Sequence, residues 1–390
     1  MIPRRFRLLA VFLLSLLLMI FLSGCWDEHE LHTLFIVTGV ALDESDDPEK
    51  MDITVQIAKS QSKSSRSGDT EPQENYIILL KNKSGTMMEG LMEFNRDSSR
   101  TLMLNHNQVL LFGSSLAEQG IKNHIDLFMR DQDSRMEVLM IVVDGRGEEA
   151  LAAKLSQDRI SGMFISRVIR TMSSVSSYYQ VRMLDFVSRL LEETTSPVVP
   201  IVTVTKKGKM EEIKITGMAV FKGDKMIDRL SNDETLGYIW AMGDVKHCNV
   251  VTSTELGKAV FQITKLDCKR DVKIRQDGGI GVKLSVNTTL SVGEISGFSE
   301  TTSEELMPYL VKIAQEEIKR KIMNSFETAR RLNADIYGFG TSVYRKYPKE
   351  WKSMKDSWDE IFRDIELNVQ VKAHIPVTGQ ITQPLGIKEE

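Results

Sequence analysis

Residues 303–332 read SEELMPYLVKIAQEEIKRKIMNSFETARRL, and this stretch determines how the C-terminal part of the chain is organised. Apolar side chains recur on one helical face, while the charged residues between Glu316 and Lys321 cluster on the opposite face. The apolar positions are Leu306, Leu310, Ile313, Ile318, Ile322 and Phe326. Ser303, followed by two glutamates, is a reasonable helix start. The pattern predicts one long amphipathic helix.

β-Rich segments flank this helix on both sides. Residues 260–274 and 280–292 are joined through Asp277-Gly278-Gly279, which is a hairpin signal. Residues 366–377 alternate polar and apolar side chains with a period of two. This alternation predicts a strand with one packed and one solvated face, either antiparallel or at a sheet edge. Two shorter helices are expected between these strands, at 334–344 and 350–362.

The N-terminal part alternates predicted strands and helices. Strands are expected near residues 34–42, 51–57, 76–80, 102–112 and 137–143, and helices near 85–94 and 117–129. Residues 60–75 hold five serines, Gly68 and Pro72, which predicts a mobile loop. Residues 148–193 read as mostly helical, and a hairpin follows around residues 206–209. The fold class is therefore α/β with mixed sheets, whose strand order and directions the pattern does not specify.

Composition excludes several classes of protein. The chain has 390 residues, of which 42% are hydrophobic and 27% charged, so wholesale disorder, collagen and a multi-span membrane protein are excluded. The net charge is −4. Removing the first 24 residues, with Arg4, Arg5 and Arg7, leaves 47 basic against 54 acidic residues. A mildly acidic body argues against a general nucleic-acid binder.

The N-terminus resembles the signal peptide of a bacterial lipoprotein, assigned to residues 1–24. Three arginines precede the fifteen residues 8–22, in which only Ser15 is polar. This segment is about 22 Å long as a helix, which is short for a bilayer core of about 30 Å. Leu22, Ser23, Gly24 and Cys25 follow the lipobox pattern, in which cleavage leaves an acylated Cys25 first. The alternative is an uncleaved anchor helix, and both alternatives place the body outside the cytoplasmic membrane.

Residue patterns for chemistry are scarce, so we expect no catalytic residue, no metal site and no cofactor beyond the lipid on Cys25. His29 and His32 do not form an H-E-x-x-H motif. No G-x-S-x-G or P-loop sequence occurs, and the glycines at 278–281 lie between strands rather than before a helix. Cys248 and Cys268 are expected to be independent buried thiols, with a disulfide as the alternative.

Two tryptophans offer a candidate partner-binding face. Trp351 and Trp358 are seven residues apart, which places them on one face of a helix. The alternatives are core packing and binding of a partner. The glycine-aromatic run at 335–340 predicts tight backbone packing rather than a ligand loop.

The whole chain resembles the Ger(x)C family of spore germination lipoproteins. The resemblance begins with the Gly-Cys-Trp-Asp sequence at 24–27 and ends with the strand that reaches Gly379. Its further landmarks are residues 104–113, 117–120, 126–135, 215–221, 234–237, 335–340, 345–351 and Trp358. The landmarks cover nearly the full length after Cys25, in order, except that residues 60–75 match nothing.

The resemblance implies a function and an architecture. Family members are C subunits of nutrient germinant receptors, which act with an A subunit and a multi-span B subunit in the inner spore membrane. Small nutrients trigger the complex, but whether this subunit binds nutrient is open. A three-domain α/β architecture without a catalytic site is implied. The corresponding boundaries are 25–205 for an N-terminal domain, 206–258 for a middle domain of hairpin and helix, 259–378 for a C-terminal domain and 379–390 for a tail.

The alternative functions are a solute-binding lipoprotein of an importer and an enzyme outside the cytoplasm. A solute-binding lipoprotein of an importer shares the lipobox, but it folds as two similar lobes rather than ending in a long helix and an alternating strand. An enzyme outside the cytoplasm would need an acid, base or nucleophile constellation, which the sequence lacks. The expected partners are therefore the membrane and the A and B receptor subunits, with no nucleic acid.

Overall fold

A computed structural model describes residues 33–59, 76–131, 134–174, 179–243, 245, 247–298 and 303–376, with isolated positions 5, 6, 12, 13 and 15. The predicted signal peptide, its lipobox with Cys25, the loop 60–75 and the tail 379–390 lie outside these residues, apart from those isolated positions. No helix within the described ranges is both long and apolar enough to cross a bilayer. Both hydrophobic cores are built from residues between Val37 and Ile375.

The first sheet has nine strands in the order β3-β2-β1-β5-β6-β7-β8-β9, with the short β4 paired to β1. Its strands are β1 (Leu34–Glu44), β2 (Met51–Ala58), β3 (Ile77–Ser84), β4 (Thr101–Met103), β5 (Val109–Gly113), β6 (Leu139–Val143), β7 (Val198–Lys207), β8 (Met210–Lys222) and β9 (Lys225–Leu230). Strands β1, β5, β6 and β7 run parallel, while β2, β3, β8 and β9 pair antiparallel. The sheet is therefore mixed, as predicted.

The central parallel strands are buried on both faces because helices cover each side. Every residue of β5 and β6 is buried, which is typical of parallel strands in α/β proteins. One face packs α4 (Gly147–Ala152) and α5 (Ser161–Ser174). The other face packs α1 (Met87–Arg96), α2 (Ser114–Gln119), α3 (Lys122–Arg130) and α6 (Met183–Leu191).

Helix α7 (Asn232–Met242) follows β9 and connects the two halves of the chain. Ser231 caps it: the serine hydroxyl accepts from the Glu234 backbone N–H, and the Glu234 carboxylate accepts from the Ser231 backbone N–H. Ser231 is therefore the N-cap of this helix.

The second sheet has four strands in the order β10-β11-β12-β13. They are β10 (Cys248–Ser253), β11 (Gly257–Ile274), β12 (Ile280–Gly297) and β13 (Glu366–His374). The predicted hairpin at 277–279 is confirmed, with Ile274 paired to Ile280 and Gly278 at a φ of +82°. Strand β13 lies at the sheet edge, one of the two predicted alternatives, and runs parallel to β12.

Helices connect β12 to β13. The predicted long helix is confirmed as α8 (Ser303–Leu332), which packs on the second sheet and on α7. The three short helices that follow are α9 (Phe339–Lys346), α10 (Pro348–Met354) and α11 (Trp358–Arg363), with a 3-10 turn at Lys355–Ser357. The segment predicted as the middle domain, 206–258, contributes β8 and β9 to the first sheet and β10 to the second. The domain boundaries themselves stay a prediction.

Candidate functional site

A tight turn at residues 335–340 joins the two halves of the molecule. The Asp335 carboxylate accepts from the backbone N–H groups of Phe339 and Gly340, at 2.9 and 2.8 Å. The Asp335 carbonyl accepts from the Ser196 N–H at 2.9 Å, which ties the turn to the segment before β7. A Cβ at Gly340 would collide with the side chains of Thr194 and Trp358, so these side chains pack directly against the glycine backbone, in the tight packing predicted from the glycine-aromatic run.

The two tryptophans lie in the core and not on an exposed face. Trp351 is 6% exposed and Trp358 is 3% exposed, and their ring centroids are 5.2 Å apart. They belong to α10 and α11, and the intervening 3-10 turn breaks the single helical face that their spacing predicts. A partner-binding face made of these two residues is therefore wrong, because their side chains are occupied by core packing.

A groove of about 490 Å³ opens beside Trp351, between the end of α6 and helices α9 and α10. Its volume falls in the range of small-ligand pockets, about 300–1,000 Å³. It is lined by Leu191, Glu192, Glu193, Thr194, Thr341, Tyr344, Arg345, Trp351, Lys352 and Lys355. Trp351 thus lines this surface groove although only 6% of it is exposed.

Charge is divided between the walls of this groove. Glu192 and Glu193 follow α6, and the Glu192 carboxylate accepts from the Thr341 hydroxyl at 3.1 Å. Arg345, Lys352 and Lys355 lie on the other wall and have no ion pair within the described residues. The lining contains no histidine or cysteine, so it offers charge and hydrogen bonds rather than a nucleophile with its base.

The described residues contain no cluster of histidine, cysteine and carboxylate side chains that could hold a metal ion. His29 and His32 lie outside the described residues. Cys248 and Cys268 are free thiols, so the alternative of a disulfide is wrong. Cys248 is paired with Ile263, and Cys268 lies five residues farther along β11, about 17 Å away. A disulfide needs Cα atoms within about 7 Å.

Burial makes both thiols poor nucleophiles. It raises the pKa of Cys248 and of Cys268 to about 11, so each is a neutral thiol at physiological pH. The Cys268 thiol donates to the Ala241 carbonyl at 3.3 Å. These residues therefore serve packing between α7 and the second sheet.

Tryptophan spacing did not identify the groove as a surface feature. A different signal could have done so: residues 345–355 hold five basic side chains and a single acid, Glu350. Leu191 and Tyr344 beside them are 75% and 54% exposed. Their exposure depends on how α6 meets α9, which no local pattern shows.

Comparison with known proteins covers nearly the whole chain. The family model "Spore germination protein N-terminal domain" matches residues 27–204, and "Spore germination B3/ GerAC like, C-terminal" matches residues 216–379. The first match spans β1 to β7, and the second begins within β8 and includes the second sheet.

Curated relatives match end to end. Spore germination protein KC of Bacillus subtilis (strain 168) is 27% identical, with 97% of each chain covered. Spore germination protein B3 of the same strain is 22% identical, with 92% of this chain and 95% of that protein covered. The crystal structure of the GerBC protein aligns with a TM-score of 0.57 at 18% identity, covering 87% of this chain and 97% of that one, which shows a common fold. The chain belongs to the Ger(x)C family of spore germination proteins.

Proposed function

We propose that this chain is the lipid-anchored C subunit of a spore nutrient germinant receptor. The observation that carries the proposal is the end-to-end match to spore germination proteins, in both family domains and in order. The two sheets differ in strand number and order, unlike the two similar lobes of a solute-binding lipoprotein.

The proposed mechanism is association rather than catalysis. A lipid on Cys25 would hold the body at the outer face of the cell membrane, and at the inner membrane of the spore. Confinement there raises the effective concentration of the body beside the A and B subunits. The charged groove and its lack of a nucleophile–base pair are consistent with a binding role in receptor assembly or signalling. No cofactor other than the lipid is proposed.

Replacing the acylated residue tests the anchor. Cys25→Ala is expected to reduce membrane retention of the body and to weaken nutrient germination, because alanine has no thiol to carry the acyl chains. Stable anchoring needs two or more such chains. Cys268→Ser is the matched control, since its hydroxyl keeps a donor for the Ala241 carbonyl. Membrane fractionation of spores measures retention. Unchanged retention and unchanged lipid labelling of Cys25→Ala would refute the anchor.

Deletion of the coding sequence tests the receptor role. Spores are scored against a panel of nutrients and against a non-nutrient trigger. Loss of the response to one nutrient set, with the non-nutrient response intact, would support the proposal and identify the signal. Normal germination with every nutrient in a strain that lacks the other receptors would contradict it. Ligand-induced melting shifts of residues 26–390 would then test the importer alternative.

A further inference from the structure

Four exposed cations and two exposed apolar side chains form one surface, which we call the basic edge. Its cations are Arg345, Lys349, Lys352 and Lys355, and its apolar members are Leu191 and Tyr344. The chain as a whole carries a net charge of −4, whereas here the four cations outnumber the three nearby carboxylates, Glu192, Glu193 and Glu350. It includes one wall of the groove beside Trp351.

Among the described residues, the four cations of the basic edge have no protein partner that neutralises their charge. Lys346, their neighbour, pairs with Asp271 at 2.5 Å and donates to the Val272 carbonyl. None of the four cations of the basic edge forms an ion pair or a side-chain hydrogen bond within the described ranges. Cations beside exposed aromatic and aliphatic side chains are typical of surfaces that lie on a membrane.

The basic edge lies towards the end of the first sheet at which the chain enters the fold, next to the segment that precedes β7. Strands β1, β5, β6 and β7 are parallel, so β1 and β7 start towards the same end of the sheet, and the register places Val198 level with Gly39. Three strand intervals of about 4.8 Å, together with five residues of about 3.3 Å along β1, separate Val198 from Leu34, which is about 22 Å. Residues 192–194, which line the groove, end four positions before the start of β7 at Val198.

The chain between the proposed lipid and β1 limits how far this end of the sheet can lie from the bilayer. This step rests on the proposed function, in which Cys25 carries the acyl chains. Eight residue steps separate Cys25 from Thr33, and an extended chain of that length spans at most about 29 Å. An N-terminal tether at this end of the sheet therefore leaves the basic edge within reach of the bilayer surface.

We infer that the basic edge docks on the anionic headgroups of the membrane that anchors the chain. Each cation near such a surface contributes to binding, while the acidic remainder of the body is repelled and faces away. Leu191 and Tyr344 insert between headgroups, and the groove admits a headgroup beside Lys352 and Lys355. Docking would set one orientation of the body relative to its membrane partners.

Vesicle binding of unlipidated residues 26–390 tests the surface separately from the anchor. This part of the chain contains both cores, so it is expected to fold without the lipid. Sedimentation is measured with vesicles of phosphatidylcholine with and without phosphatidylglycerol. The expected result is binding to anionic vesicles only, weakened by salt. Lys352→Glu with Lys355→Glu should weaken it by at least about tenfold.

The matched control reverses the charge of two exposed lysines at the opposite end of the first sheet. Lys206→Glu, near the end of β7, with Lys209→Glu, in the turn between β7 and β8, makes the same change in net charge and should leave binding unchanged. Equal melting temperatures of the variants establish that they fold alike. Equal losses in both variants, or no binding to anionic vesicles, would overturn the inference. Loss of copurifying receptor protein without any vesicle binding would assign the surface to a protein partner. Failure of the anchor would appear only in the Cys25→Ala experiment.

Discussion

The buried carboxyl group of Asp335 caps the start of α9. It is 3% exposed, and its two oxygens accept the N–H groups that begin α9. Burial raises its pKa from 3.8 to about 6, against the opposing effect of the backbone hydrogen bonds. The folded state therefore binds a proton at Asp335 more tightly than the unfolded state. Its stabilising contribution is present below about pH 3.8 and is lost as pH rises through 6.

Asp335→Asn should change how stability depends on pH. The amide can accept only one of the two N–H groups, so we expect a loss of about 1–3 kcal/mol near pH 4. That loss should shrink towards pH 7, because a shift of about two pKa units penalises the charged wild-type carboxylate by about 3 kcal/mol. Urea unfolding of both proteins at a series of pH values measures the difference, in which other titrating groups cancel. Parallel stability curves from pH 4 to 7 would show that the carboxyl is not perturbed.

Helices α7 and α8 cross at a position that accepts only glycine. A Cβ at Gly237 would collide with the backbone carbonyl of Lys321, and backbone cannot move as a flexible side chain can. Gly237→Ala should therefore lower the free energy of unfolding by about 1–3 kcal/mol, as overpacking does. Gly281→Ala in β12 is the control, because its Cβ would lie 3.6 Å from the nearest atom, in the Arg275 side chain. Thermal unfolding compares the two variants, and equal midpoints would contradict the close crossing.

Local signals explain which elements could be predicted from the sequence. The α8 helix and the hairpin at 277–279 have patterns that are complete within their own residues. The strand expected at 102–112 is instead β4, a 3-10 turn at Leu104–His106 and β5, because polar residues interrupt its apolar run. The helical segment 148–193 is divided in the same way into α4, α5 and α6.

Features of the tertiary structure could not be predicted in this way. The parallel direction of β13 follows from the helical crossover between β12 and β13, which no local pattern encodes. The groove arises where α6 meets α9 and α10, about 150 residues later in the chain. A spacing of seven residues places the two tryptophans on one face only if the helix between them is unbroken. The 3-10 turn between α10 and α11 breaks that helix.

The two sheets share one hydrophobic core at the scale of the whole molecule. A single buried cluster includes Leu110 and Met140 of the first sheet and Leu284 of the second. Arg189 of α6 donates to the Ile336 carbonyl at 2.9 Å and lies over the Tyr238 ring, 5.9 Å from its centroid. Helix α6, helix α7 and the turn at 335–340 are thus packed together, so we expect the two halves to unfold together although the family models divide the chain between them.

Phe326→Ala tests this coupling from inside the second half. Phe326 is 1% exposed and contacts the rings of Tyr337, Phe339 and Phe362, so its removal should cost about 3–5 kcal/mol. Because the core is shared, hydrogen exchange should accelerate both in β6 and in β12. Leu256→Ala, at a residue that is 45% exposed, is the control and should change stability by less than about 0.5 kcal/mol. Acceleration confined to β12 would show that the two halves unfold independently and that the packing between α6 and α7 transmits no stability.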